Sequence, residues 1–161
     1  MSTSVVSSPA SSSSTALVLN ATDSMFVTMT VGGQLFGVPV LQVQDVLGIQ
    51  KIAHIPLAPP EVAGSLNLRG RIVTVIDLRV RLGLPIRAAG ETAMNIVFDH
   101  HGELYSLLVD KVGEVMTLQS SSYERTPPTL NTLWQTLSSG VYRLDGSLLI
   151  VLDVEKVLQL S

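Results

Sequence analysis

The 161-residue chain has no cysteine, so disulfides, thiolate catalysis and sulfur-ligated metals are excluded, and the composition suits a reducing cytoplasm. Charge is scarce: Asp, Glu, Lys and Arg make up 14% of residues, against roughly 25% in ordinary soluble domains. Positive charge is scarcer still, and the formal net charge of −3 argues against non-specific nucleic-acid binding. Aromatic residues amount to 4%, and none lies among the arginines of residues 69–87, as a single-stranded nucleic-acid surface would require. No apolar run is long enough to cross a bilayer, although 46% of residues are hydrophobic. The first basic residue is Lys51, and Ala16-Leu17-Val18-Leu19 is too short for a secretory core, so export is not expected. A chain this poor in charge either buries its apolar residues in a small β fold or leaves some of them for a partner.

Residues 1–24 are mostly Ser, Thr and Ala and read as a disordered tail. Beyond them, short β-branched segments alternate with turn residues. Residues 25–31 and 34–38 form a hairpin about Gly32-Gly33, and Pro39 ends its second strand. Val40, Val43, Val46 and Leu47 recur at helical spacing before Gly48, predicting a short helix. A strand is expected over 51–55, and a single helical turn over 59–64, with proline at its start and glycine at its end. The next hairpin turns at Arg69-Gly70-Arg71 and leaves as Ile72 to Ile76, a run expected to be buried on both faces. A short helix or turn over 78–82 is stopped by Gly83 and Pro85, and a flexible connection over 88–92 follows. Strands are then expected over 94–98, 103–109 and 112–118, an extended loop over 120–132, and one helical turn at 133–137. Residues 139–144 and 147–152 make a hairpin about Asp145-Gly146, and Val154, Val157 and Leu158 finish as a short helix.

The second half echoes the first. Gly33-Gln34-Leu35-Phe36 returns as Gly102-Glu103-Leu104-Tyr105, and the run from Arg69 to Leu78 returns as Asp145 to Val154. Two echoes in the same order imply two similar modules. The predicted fold is mainly β: two small five-stranded barrels with a few short helices, their edges removed by closure, and a repeat boundary near 88–92.

Candidate chemistry is sparse. Asp99-His100-His101 is the one local cluster resembling a metal or hydrolase signature. A metal needs three or four convergent ligands, whereas neighbouring strand side chains diverge and this pair sits in a turn. No metal ligand and no cofactor is therefore assigned, and a small metal-dependent enzyme using His100 or His101 stands only as an alternative. Gly32-Gly33 joins strand to strand and offers no phosphate cradle. Asp77 and Asp153 occupy equivalent places between strand and helix, where capping is expected rather than acid–base catalysis. Arg69, Arg71, Arg79, Arg81 and Arg87 supply five of the ten basic residues. Arg79, Arg81 and Arg87 read as a solvated face. Arg69 differs: the equivalent turn position is Asp145, so folding does not need arginine there, and Arg69 becomes a recognition candidate.

The residues from Gly64 to Leu78, with Asn67-Leu68-Arg69-Gly70 and Val73-x-Val75-Ile76-Asp77-Leu78, resemble the CheW-like domain family. So do Phe36-Gly37-Val38-Pro39-Val40, Val43-Gln44-Asp45-Val46, Leu108-Val109-Asp110-x-Val112 and Leu149 to Asp153, so the likeness covers nearly all of 25–161. It implies two intertwined SH3-like subdomains and a non-catalytic adaptor of bacterial chemotaxis. Such an adaptor couples the cytoplasmic tip of chemoreceptors to the regulatory domain of the histidine kinase CheA. It would be cytoplasmic, recruited to membrane-associated receptor arrays, without nucleic-acid binding or membrane insertion. A related chemosensory output, such as type IV pilus motility, is the alternative within the family. By motif position Val43, Asp45, Gly64, Arg69 and Gly70 fall on the receptor-facing surface, and Ile49, Lys51 and Ile52 are the expected kinase-facing region. Asp45 stands where the family usually has glutamate, and Thr74 where many members have proline.

Overall fold

The structure, a computed structural model, describes residues 23–159. The serine-rich tail expected over 1–24 lies outside them except for Asp23 and Ser24, which belong to the first strand. The elements run β1 (Asp23–Val31), β2 (Gln34–Pro39), β3 (Val43–Leu47), β4 (Val62–Leu68), β5 (Arg71–Asp77) and α1 (Leu78–Arg81). They continue with β6 (Met94–His100), β7 (Glu103–Val109), β8 (Lys111–Gln119), β9 (Tyr123–Glu124), α2 (Thr132–Leu137), β10 (Ser138–Leu144), β11 (Ser147–Leu152) and α3 (Val154–Leu158). Three differences from the sequence reading have physical causes. The helix expected over 40–47 is a 3₁₀ turn at Val40–Gln42 followed by β3, because Val43 to Leu47 pair with β6 and their burial alternates along the strand. The strand expected over 51–55 is reduced to one bridge, Ala53 to Ser65, and the helical turn expected over 59–64 gives way to β4 from Val62 onward. Ile72 is exposed, so β5 is not buried on both faces along its whole length.

Two sheets result, in the orders β8-β1-β2-β11-β10-β9 and β3-β6-β7-β5-β4. Neither sheet follows the sequence halves. The hairpin β1–β2 joins β8 to β11, which come from the second half, and β6–β7 join β3 to β5, which come from the first. The two repeats have exchanged their opening hairpins. The parallel pairs β2–β11 and β5–β7 are the seams where one half meets the other. In neither sheet do the two end strands pair with each other by backbone among the described residues. In the second sheet they meet through side chains: β3 and the β4–β5 turn lie at opposite ends of the order, yet Asp45 reaches Arg69. The sheet therefore curls into an SH3-like barrel.

One core is shared between the sheets. Met29, Val31, Phe36, Val38, Leu137, Ile150 and Leu152 from the first subdomain pack with Ile76, Ile96, Phe98, Leu107 and Val109 from the second. Each sheet also encloses a smaller cluster, Phe26, Tyr142, Leu149 and Val151 in one and Leu66, Val73, Val75, Val97 and Leu104 in the other. Truncating a fully buried residue such as Leu107 would cost about 2–5 kcal/mol. The repeat survives in detail. Asp77 caps α1 by accepting from Arg79 N–H, and Asp153 caps α3 by accepting from Lys156 N–H, as expected. The backbone N–H groups of the same two aspartates donate to Glu61 O and Leu137 O at 2.8 and 2.9 Å. The single bridge at Ala53 matches the two-residue strand β9, each lying beside the bulge of the strand that it covers.

The arginines taken for a solvated face are mostly built in. Asp110, between β7 and β8, accepts from Arg79 Nε at 2.9 Å and Arg79 Nη2 at 2.8 Å, and lies 3.0 Å from Arg87 Nη2. It also accepts from the Gly32 N–H at 2.8 Å in the β1–β2 turn, while Arg87 reaches Asp77 at 3.1 Å. Arg81 donates to Lys156 O, Val157 O and Gln159 O at the end of α3, where carbonyls lack helical partners. Burial pushes the Asp110 carboxyl up, but the hydrogen bond from Arg79, the Gly32 N–H and the Arg87 charge together hold it below its ordinary value of 3.8, and the same bond raises Arg79. With the folded pKa below the unfolded one, this stabilisation is complete above about pH 4 and is lost as pH falls through the lower folded value. Asp110→Asn is expected to lower unfolding free energy by about 1.5–3 kcal/mol at pH 7, as for hydrogen bonds to charged groups. The gap to the unsubstituted chain should narrow as pH falls below about 4 and through the lower folded value, measured by urea denaturation across pH.

Candidate functional site

The β4–β5 turn is a two-residue reversal in which both central residues have positive φ, Arg69 at 51° and Gly70 at 84°. Gly70 takes this conformation freely and donates its N–H to Asn67 Oδ1 at 2.9 Å. Arg69 takes it against the preference of a residue with a Cβ. In the equivalent turn Gly146 has positive φ and Asp145 does not, so the left-handed arginine is particular to this copy. Arg69 Nη1 lies 3.3 Å from Asp45 Oδ2, and Asp45 Oδ1 accepts from the Val46 N–H at 2.8 Å. Aspartate is thus long enough, despite its missing methylene. The carboxylate side chain is 27% exposed and the arginine 78%. One arm of the guanidinium is tethered, and the other donors face outward, where a carboxylate or carbonyl could meet them.

The five residues expected on this face have different placements. Asp45, Arg69 and Gly70 are together at the surface. Val43 is half-buried, opposite Phe98 on β6, and packs against the shared core. Gly64 is buried: a Cβ there would lie 2.1 Å from Ala53 O and 2.8 Å from the Ile52 side chain, with φ at 148°. Its lack of a side chain lets residues 52–53 cross β4, where Ala53 and Ser65 exchange two backbone hydrogen bonds of 2.8 Å. Gly64 thus shapes the face from beneath.

Of the second group, Ile49 is 72% exposed, Lys51 is exposed, and Ile52 is half-buried against the second sheet's cluster. Ile49 and Ile52 share with Ile86, 75% exposed, a cleft of about 430 Å³. Ile86 was missed by sequence reasoning, because nothing in the sequence places the 83–93 connection beside residue 49. A second groove of about 370 Å³ runs beside Arg71, Ile72, Thr74 and Tyr105, with Arg71 Nη2 donating to Gly102 O at 3.3 Å. The Tyr105 hydroxyl donates to Glu103, which raises its pKa, with burial and the Glu103 charge acting in the same direction. No helix among the described residues is long and apolar enough to cross a membrane.

His100 and His101 are brought together with Glu155, contrary to the expectation that they diverge. His101 has φ of 53°, which breaks the strand alternation and turns both imidazoles to one side, with ring centroids 4.2 Å apart. Sequence reasoning had no access to the third member, which comes from α3 in the other subdomain.

The model of the CheW-like domain matches residues 25–161. The chemotaxis protein CheW of Klebsiella aerogenes is 31% identical over 133 residues, covering 83% of this chain and 80% of that protein. That of Bacillus subtilis is 27% identical over 137 residues, with 85% and 88% covered. The protein PilI of Pseudomonas aeruginosa is 25% identical over 120 residues, with 74% and 67% covered. Among solved structures, the scaffolding protein TtCheW from Thermoanaerobacter tengcongensis superposes with a TM-score of 0.77 at 28% identity, covering 86% of this chain and 94% of that one.

Two substitutions separate what the face needs for folding from what it presents. Gly64→Ala is expected to destabilise by at least about 1–3 kcal/mol, from backbone strain and displacement of residues 52–53. Arg69→Ala is expected to change stability by no more than about 1 kcal/mol, since an exposed ion pair contributes about 0–1. Thermal and urea unfolding of both variants would check the contrast.

Proposed function

The chain belongs to the CheW-like domain family, and from that membership we propose that it is a non-catalytic chemotaxis adaptor joining the cytoplasmic tip of chemoreceptors to the regulatory domain of the histidine kinase CheA. The observation that carries this reading is the tethered arginine on the exposed turn. Arg69 is oriented by Asp45, spends little of its hydrogen-bonding capacity on the fold, and adopts a backbone conformation that the equivalent turn position avoids. A strained, exposed and oriented arginine has the character of a recognition residue. On this reading Val43 and Gly64 support the receptor face from beneath, and Gly70 permits the turn.

The kinase leg is assigned to Ile49, Lys51 and Ile52, extended by Ile86. Two isoleucines more than two-thirds exposed beside one cleft are apolar surface that a partner would cover. The two legs then use different residues of the 43–53 segment and its neighbours. The chain would act in the cytoplasm, recruited to receptor arrays by these contacts. The likeness to PilI supports a second reading, an adaptor of a related chemosensory system. It differs only in which receptor and kinase are bound.

Titration calorimetry of the full chain against a receptor-tip fragment and a CheA regulatory domain tests both legs. Binding to each is expected. Arg69→Ala should weaken the receptor leg by roughly tenfold or more, as loss of a charge-assisted hydrogen bond implies, and leave the kinase leg unchanged. Ile49→Asp should do the reverse. Binding to neither partner would remove the chemotaxis reading, and kinase binding restricted to a pilus-motility homologue would select the second.

A further inference from the structure

The β6–β7 turn and the start of α3 bring together three groups that neither the fold nor the partner surfaces use. His100 Nε2 and His101 Nε2 lie 3.9 and 3.7 Å from the same oxygen, Glu155 Oε1. One ligand atom from each residue falls within 4.8 Å of the others. They border a cleft of about 440 Å³, whose other walls include Gln42, Phe98, Asp99 and Asp153. We propose that His100, His101 and Glu155 form a binding site for one divalent cation of the imidazole-preferring class, with Zn²⁺ as the representative ion.

The dimensions suit this ion. Zn–N and Zn–O bonds of about 2.0–2.2 Å in a tetrahedron put ligand atoms roughly 3.3–3.5 Å apart. The two imidazole-to-carboxylate separations exceed that by about half an ångström or less, which the half-exposed glutamate can take up, and the two imidazoles, within 4.8 Å of each other, close on the ion by rotation of the exposed His101 side chain. Two imidazoles and a carboxylate are a donor set that zinc accepts, with the fourth position open to water from the cleft. The nearby aspartates are occupied otherwise: Asp99 Oδ1 accepts from the Gly102 N–H and Asp153 Oδ1 from the Lys156 N–H. They add negative charge beside the site and leave the three named groups as ligands.

The internal repeat supplies a second, independent observation. The turn His101-Gly102 corresponds to Gly32-Gly33, and the backbone is nearly the same, with φ of 53° and 84° against 59° and 82°. Glycine serves that conformation without strain in the first copy. A histidine at the left-handed position in the second copy is therefore not required by the turn. It is also what aims the second imidazole at Glu155. Because the turn belongs to the second sheet and α3 follows the last strand of the first, a bound ion would link the two subdomains across their shared core.

The test is Zn²⁺ titration of the full chain, without affinity-tag histidines, in chelator-free buffer, read by calorimetry and by the melting temperature. One equivalent is expected, with a rise in melting temperature on saturation. His101→Asn preserves a residue tolerant of positive φ, and Glu155→Gln preserves shape; each should weaken binding by at least about tenfold, the least that losing even an outer partner costs. His54→Ala removes the third histidine, which is exposed elsewhere, and should change nothing. Absence of binding at 100-fold molar excess, or stoichiometric binding that survives both His101→Asn and Glu155→Gln, would overturn the proposal. Neither result bears on the adaptor reading, whose residues are distinct.

Discussion

Asp110 stands where the chain leaves the second sheet for the first, and the interlocked architecture turns on how that crossing is held. Its carboxylate takes a bidentate pair from Arg79 on α1, the charge of Arg87, and the N–H of Gly32 in the opening turn of the first sheet. Three segments remote in sequence are thereby fixed to one side chain. The pair is only partly desolvated, at 16% and 19% exposed, so the Coulombic gain is not cancelled by the cost of deep burial. With the crossing held, β8 can run beside β1, and the apolar faces of both sheets close on the shared core.

Exchange of the opening hairpins explains the single core. If each half of the sequence folded on itself, each barrel would present an apolar face with nothing specific to cover it. Exchanging β1–β2 and β6–β7 makes each barrel depend on both halves, and the same strands that fill one barrel contribute to the interface with the other. The two surfaces proposed for partners lie on the 43–53 segment and its neighbours, outside this core. Substitution of the exposed residues Arg69, Ile49 or Ile86 can change recognition with little effect on folding, whereas Val43 and Gly64 are built into the fold beneath them.

Both sites proposed above arise where the two copies diverge. The turns Arg69-Gly70 and Asp145-Gly146 close equivalent hairpins, as do Gly32-Gly33 and His101-Gly102. In each pair one member meets the demands of the turn cheaply, and the other carries a larger side chain at positive φ. Arg69 and His101 are two of the three non-glycine residues with positive φ among the described residues. Each lies beside a carboxylate from a distant element, Asp45 at 3.3 Å in one case and Glu155 at 3.7 Å in the other.

Much of this was legible in the chain. Gly-Gly, Arg-Gly and Asp-Gly between β-branched runs located the hairpins, because a two-residue reversal favours glycine at positive φ. The echo of one half in the other announced two modules, and the aspartates before α1 and α3 announced their caps, since capping is a local hydrogen bond. Arg69 stood out because its counterpart is an aspartate. Tertiary structure alone decided the rest. Val43 to Leu47 carried a helical spacing but became a strand, since β6 offered a ladder that no local signal records. Arg79 and Arg87 looked like a solvated face until Asp110, more than twenty residues away, was folded against them. That Gly64 is buried and admits the backbone of Ala53 was likewise hidden until residues 52–53 were seen to cross β4. The exchange of hairpins and the meeting of His100 and His101 with Glu155 belong to the same class. Sequence fixes what neighbours along the chain can do for each other, whereas which distant groups meet is set by how the sheets pack.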